Sequence, residues 1–269
     1  MTPRVLIVAG SDSGGGAGIQ ADIKTVTALG GYAATAITAL TAQNTCGVEA
    51  VFAVPADFVR RQMQAVLTDI GADCIKTGML AGADTVAAVA DVVDECDPEL
   101  ALVVDPVLLA SDGTPLLSQA GRDAMVTRLL ARTTVLTPNL PEAEILTGRH
   151  IASVDDMIAV ARRLLALGPR AVLVTGGHLP GPEITDVLVE GDTITRLAAS
   201  RIDSRSTHGT GCTLASALAV GLAAGMPVGD AVARARQYLR RAIRTAPGLG
   251  TGAGPVNHGH TVRPFDPAS

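Results

Sequence analysis

Six short aliphatic runs punctuate the chain, at residues 5–9, 34–40, 74–76, 102–105, 134–136 and 171–175. Between them lie longer stretches with apolar residues at helical spacing: 19–29, 55–68, 84–93, 119–130 and 153–167. Runs that are apolar without alternation suit strands buried on both faces, and strand followed by helix, repeated, predicts a doubly wound α/β sheet of mostly parallel strands with helices on both faces. The segment from Ile184 to Leu197 differs. Val187, Val189, Ile194 and Leu197 flank Glu190-Gly191-Asp192, which predicts an antiparallel hairpin at the sheet edge. Two further helices are expected, over residues 211–224 and 228–245, before a Gly/Pro-rich tail from Pro247. No linker or internal repeat interrupts the pattern, so one domain spanning 1–269 is expected.

Composition narrows the function. The 269 residues are 48% hydrophobic with no Trp, two Tyr and three Phe, so the core must be aliphatic. A formal net charge of -5 offers no basic face to nucleic acid. Lys24 and Lys76 are the only lysines, so a phosphate site would rely on backbone amides, metal or Arg. Cys46, Cys74, Cys96 and Cys212 form no CxxC pair and have no His at metal-ligand spacing, which argues against zinc and a disulfide framework. The first residues carry no signal-peptide pattern and no apolar run reaches membrane-spanning length, so a cytoplasmic protein without a membrane partner is expected.

Two glycine-rich elements stand where chemistry is expected. The first strand empties into Gly10-Ser11-Asp12-Ser13-Gly14-Gly15-Gly16-Ala17-Gly18, read as a ligand loop. Gly16-x-Gly18-x-x-Ala21 formally satisfies the dinucleotide fingerprint, but the second strand ends in Thr41-Ala42-Gln43-Asn44 without the acid that a ribose requires. The second element, His208-Gly209-Thr210-Gly211-Cys212-Thr213, opens an apolar helix, whose N-terminal amides and macrodipole suit phosphate. No Gly-Lys-Ser/Thr occurs, so this is not a Walker P-loop. Asp105 ends a buried run and Glu142 follows another. Two carboxylates converging there suit Mg²⁺ against ATP phosphates, while either alone also suits a helix cap or first turn.

Taken together, 9–22, 41–45, 76–80, 104–107, 137–143, 176–178 and Thr207-His208-Gly209-Thr210-Gly211-Cys212-Thr213 resemble, in order and over nearly the whole chain, the hydroxymethylpyrimidine/phosphomethylpyrimidine kinases of thiamine biosynthesis. That family is a branch of the ribokinase-like fold. The resemblance implies phosphorylation of 4-amino-5-hydroxymethyl-2-methylpyrimidine by MgATP, then of the monophosphate to the diphosphate, and it suggests a homodimer. It assigns Gly10, Asp22, Gln43, Met79 and Val107 to the pyrimidine pocket and Gly209, Gly211 and Cys212 to the anion hole. Asn139 and Glu142 fall on the magnesium-organising Asn-x-x-Glu motif, with Asp105 beside them; Thr175 and Thr210 border the nucleotide. Cys212 stands where most ribokinase relatives carry an Asp base, and a helix N-terminus should lower its pKa toward neutrality. Thr175, Ser111 and Ser206 depart from the Lys, Lys and Asn usual in such kinases, and Arg205 is a candidate replacement cation. A pyridoxine/pyridoxal kinase of the same branch and a non-catalytic Rossmann-type nucleotide-binding protein are the competing expectations.

Overall fold

The computed structural model describes residues 1–110, 113–263 and 266. Ser111 therefore lies outside the described residues. The strands are β1 (Arg4–Asp12), β2 (Tyr32–Asn44), β3 (Gly47–Ala53), β4 (Cys74–Thr77), β5 (Ala101–Val104), β6 (Val135–Leu136), β7 (Ala171–Val174), β8 (Glu183–Glu190) and β9 (Thr193–Ser200). They form one nine-stranded sheet in the order β3-β2-β1-β4-β5-β6-β7-β8-β9. The strands from β2 to β7 in that order are parallel, and β3, β8 and β9 run antiparallel to their neighbours.

Alternation along each buried strand sends side chains to two separate cores. Leu6, Val8, Ile75, Leu102, Val104, Leu136, Val172 and Val174 pack on one face, against helices α2 (Ala56–Asp69), α3 (Ala83–Glu95) and α6 (Val154–Leu165). Val5, Ile7, Cys74, Val103, Val135, Ala171 and Leu173 pack on the other, against α1 (Gly18–Ala28), α7 (Thr210–Ala223) and α8 (Val228–Arg244). Because α7 is wedged between the sheet and its neighbouring helices, it is buried without interruption from Thr213 to Gly221. Its N-terminus is thereby held rigidly at the carboxyl end of the sheet.

The expected hairpin is present as β8 and β9, with Glu190 opposite Thr193 across Gly191-Asp192. Apart from a short helix over Leu140–Thr147, three features depart from the periodicity reading. Strand β3 was not expected, because its residues are mostly exposed; backbone pairing with the far half of β2 holds it, so no buried alternation marks it. The helix expected over 119–130 is α4 (Gln119–Ala124) followed by a π turn, Met125–Leu129, and a 3-10 turn, Leu130–Arg132. The altered winding lets Met125, Leu129 and Leu130 all reach the core. Last, the tail from Pro247 folds back over α8 and α7. Asn257 N–H donates to Ala242 O, Tyr238 Oη donates to His258 O, and His258 Nε2 lies 3.0 Å from Thr213 Oγ1.

Candidate active site

The chain leaving β1 is wound around Asp12, a residue that the motif reading does not single out. Its Oδ1 accepts from Gly14 N–H at 2.8 Å, and its Oδ2 accepts from Gly16 and Ala17 N–H at 3.0 and 2.8 Å. His208 Nε2 lies 2.8 Å from that second oxygen, and both side chains are buried. Burial works against ionising Asp12, but the bonds from His208, Ala17 and Gly14 overcome it and hold the carboxyl below its usual range. Three of the loop's amides are thus spent on Asp12. What the loop does is dock. Gly209 has φ +77°, and a Cβ built there would stand 1.9 Å from Gly16 O, so the two glycine-rich elements touch only because residue 209 has no side chain.

Helix α7 starts at this contact. Its N-cap, Gly209, brings no side-chain acceptor; Thr210 N–H donates to Thr207 O, which leaves the first-turn amides of Gly211 and Cys212 to meet an anion. Asp105 faces the same turn, since a Cβ built on Gly211 would lie 3.6 Å from its Oδ2. The expected lowering of the Cys212 pKa is not what the surroundings give. Burial pushes the thiol up to about 12, and the Asp22 and Asp105 carboxylates act in the same direction, against the Lys76 ammonium and a backbone bond from Gly18. The helix terminus is one contribution among charges that sequence spacing does not reveal.

Asp22, assigned by resemblance to the pyrimidine pocket, is fully buried beneath that turn. Its two oxygens accept from Lys76 Nζ at 3.0 and 2.9 Å, and Oδ1 also accepts from Ser216 Oγ at 2.6 Å. Gly10 and Met79 do adjoin, because a Cβ on Gly10 would stand 3.1 Å from Met79 Sδ. Thr38 Oγ1 donates to Met79 O and steadies that loop. Val107 is half-buried in the loop after β5.

The carboxylate pair is assembled by α5 (Leu140–Thr147), which the periodicity left out. Asn139 is its N-cap: Glu142 N–H donates to Asn139 Oδ1 at 2.9 Å, and Glu142 Oε2 accepts from Asn139 N–H at 3.0 Å, closing a capping box. Glu142 Oε1 accepts in addition from Leu108 N–H at 3.3 Å. The first-turn role weighed for Glu142 is thus real, and it aims the buried side chain at Asp105. Burial, reinforced by Asp105, raises Glu142 to about 8; burial raises Asp105 to about 6, with Lys76 opposing. Two buried carboxylates that resist ionising together fit a hard divalent cation, which takes few protein oxygens and completes its shell with phosphate and water. Among the described residues no cluster of three or more His, Cys, Asp or Glu forms an all-protein cage. Thr175 bridges to Asn139 at the end of β7, with its N–H donating to Pro138 O.

Gln43 lies beyond this cluster, lining a crevice of about 430 Å³ with Asn44, Cys46, Ala110, His208 and Ala253. Its Oε1 accepts from Thr41 Oγ1 at 3.2 Å, while its backbone N–H and C=O both bond to Ser13 Oγ. The carbonyl of this amide is partly engaged, and its NH₂ remains for a ligand.

The phosphomethylpyrimidine kinase family model matches residues 12–257. The chain belongs to the phosphomethylpyrimidine kinase family. It is 49% identical over 263 residues to the hydroxymethylpyrimidine/phosphomethylpyrimidine kinase of Rhizobium meliloti, covering 97% of this chain and 98% of that one. It is 50% identical over 254 residues to the thiamine biosynthesis bifunctional protein of Geobacter sulfurreducens, matching 94% of this chain but spanning 52% of that longer protein. Among solved structures, pyridoxal kinase from Staphylococcus aureus, in complex with AMP-PCP and pyridoxal, matches with a TM-score of 0.90 at 33% identity, over 98% of this chain and 96% of that one. The ribokinase-like fold expected from the motifs is therefore shown, and a non-catalytic Rossmann-type reading falls away.

As a phosphomethylpyrimidine kinase, the chain carries site features that its motifs conceal. Asp12 and His208 join the two glycine-rich loops across 196 residues, and the tail reinforces the joint through the bond from His208 N–H to Gly254 O. Arg205, the candidate replacement cation, is exposed and donates to Thr251 O. An Asp at the end of a strand and a His at the head of a glycine-rich turn were the available signals; only folding shows that they pair. No helix among the described residues is long and apolar enough to cross a membrane.

Proposed function

We propose that the chain transfers the γ-phosphoryl group of ATP to the hydroxyl of 4-amino-5-hydroxymethyl-2-methylpyrimidine, and then phosphorylates the monophosphate to the diphosphate, supplying thiamine biosynthesis in the cytoplasm. The observation that carries the reading is the meeting of the uncapped first turn of α7 with Asp105 and Glu142 at the carboxyl ends of the central strands. Asp105 and Glu142 would hold Mg²⁺, which neutralises charge on the transferring phosphates. The amides at Gly211 and Cys212 would take the anionic oxygens, where preorganised donors need no rearrangement as charge moves. Asn139 and Thr175 would border the nucleotide, Thr210 its phosphates, and Gly10, Gln43, Met79 and Val107 the acceptor ring. Cys212, its thiol pushed up to about 12 and so protonated at neutral pH, would position the acceptor, while the hydroxyl proton would pass late in transfer to an oxygen of the transferred phosphoryl group. Asp22 enters this reading from beneath the pocket.

The pyridoxal kinase similarity supports a second acceptor, pyridoxal, on the same site. The higher identity to the Rhizobium meliloti pyrimidine kinase supports the pyrimidine as the better one. The test is a comparison of hydroxymethylpyrimidine, its monophosphate and pyridoxal as acceptors with MgATP. Both pyrimidines should be phosphorylated, with higher kcat/KM for hydroxymethylpyrimidine than for pyridoxal; preference for pyridoxal would overturn the assignment.

A further inference from the structure

Lys76 is the bulkiest fully buried side chain among the described residues, and its partner Asp22 is equally inaccessible. Such a pair is not explained by stability. Each ion gives up its hydration, and an apolar pair of similar volume serves a fold as well or better. The pair should therefore be judged by what surrounds it.

The Lys76 ammonium lies directly under the loop that follows β4. A Cβ built on Gly78 would stand 3.1 Å from Nζ, so the ammonium packs tightly against the backbone of that loop. The next residue is Met79, which adjoins Gly10. Besides Asp22, the acidic groups that act on Lys76 are Cys212 and Asp105. Asp22 in turn accepts from Ser216, one turn along α7 from Cys212. The network thus links α1, β4 and the helix whose first turn forms the anion site, and it puts one fixed positive charge beneath the groups that surround it.

We propose that Lys76 is a positioning residue for phosphoryl transfer: paired with Asp22 and through it with Ser216, its buried ammonium holds the first turn of α7 against Asp105 and supplies a permanent counter-charge below the transferred group. Lys76 touches neither substrate and moves no proton. Its contribution is preorganised charge, present before reaction and worth most in a water-excluded site. This inference rests on the proposed kinase activity.

The test is the apolar double variant Lys76→Met with Asp22→Leu, assayed beside wild type. The double variant should fold with a Tm within a few degrees of wild type, since the two charges leave together and the losses are confined to the Ser216 bond and the cation near Asp105. Its kcat should fall roughly hundredfold, the scale of a lost preorganised electrostatic contact, with KM for ATP and acceptor within about threefold. A folded double variant with near wild-type kcat overturns the proposal. If the double variant does not fold, Ser216→Ala decides, because it cuts the link to α7 while both charges stay paired. Its kcat should then fall about tenfold, equivalent to about 1.4 kcal/mol, with Tm lowered by no more than a few degrees; unchanged kcat overturns the proposal. A wild-type enzyme unable to phosphorylate the pyrimidine would count against the kinase assignment itself, whereas failure of the Lys76 argument is seen only in the variants.

Discussion

Glu142→Gln should exchange activity for stability, in a pH-dependent way. Glu142 is 3% exposed, and burial beside Asp105 raises its pKa from 4.5 to about 8. An acid whose pKa is higher in the folded state favours folding while it is protonated. That contribution is complete below its ordinary value near 4.5 and is lost as pH rises through about 8. The difference of about 3.5 units, at about 1.36 kcal/mol each, sets a ceiling of about 5 kcal/mol. Local relaxation and water entry reduce this, so about 2 to 3 kcal/mol is expected, or roughly 5 °C at about 2 °C per kcal/mol. Glutamine has the same shape, but its single Oε1 can accept from only one of Asn139 and Leu108, which both donate to Glu142. The variant should therefore melt slightly below wild type near pH 5 and several degrees above it near pH 8.5, measured by calorimetry with chelator present. Its turnover with MgATP should fall roughly ten- to hundredfold, through loss of a group that would hold the metal. An equal shift in Tm at both pH values would refute the reasoning, since it would show that Glu142 never carries the burden of ionising against Asp105.

Three further outcomes can be checked. Because burial pushes Cys212 up to about 12, iodoacetamide near neutral pH should alkylate exposed Cys46 first and leave Cys212 largely unmodified by intact-mass analysis; prompt labelling of Cys212 would mean that its thiolate is favoured after all. Gln43→Met should lower kcat/KM for hydroxymethylpyrimidine by roughly ten- to several hundredfold, at about 1 to 3 kcal/mol per unpaired polar group, and leave pyridoxal turnover unchanged or improved. Equal losses for both acceptors would show that the amide serves only Thr41 and the strand end. Gly209→Ala puts a methyl group 1.9 Å from Gly16 O at φ +77°, so the two loops must part. It should cost about 1 to 2 kcal/mol in backbone strain alone and more in turnover; retained kcat would deny the docking a role in catalysis.

Much of the architecture was legible because its causes are local. Unbroken aliphatic runs separated by amphipathic stretches specify buried strands covered by helices, and Glu190-Gly191-Asp192 between alternating residues specifies the hairpin. The motifs at 10–18, 137–142 and 207–213 pointed to the carboxyl ends of the strands, since each follows a strand or opens a helix. Strand β3 was not legible because backbone pairing, not burial, holds it, and α5 because its eight residues are too few to show a helical period, although the Asn139-x-x-Glu142 capping box marks its start.

The composition of the site is another matter. The chain by itself determined an α/β sheet, its family, and which loops carry glycine and acid, because periodicity and motif spacing are properties of neighbours in sequence. Tertiary structure alone decided that Asp12 holds His208 across 196 residues, that Asp22 holds Lys76 across 54 and Ser216 across 194, and that the tail closes over α7. It also decided the protonation of Cys212, Asp105 and Glu142. A pKa answers to burial and to every charge within reach, and both are set by residues that the chain brings together only when it folds.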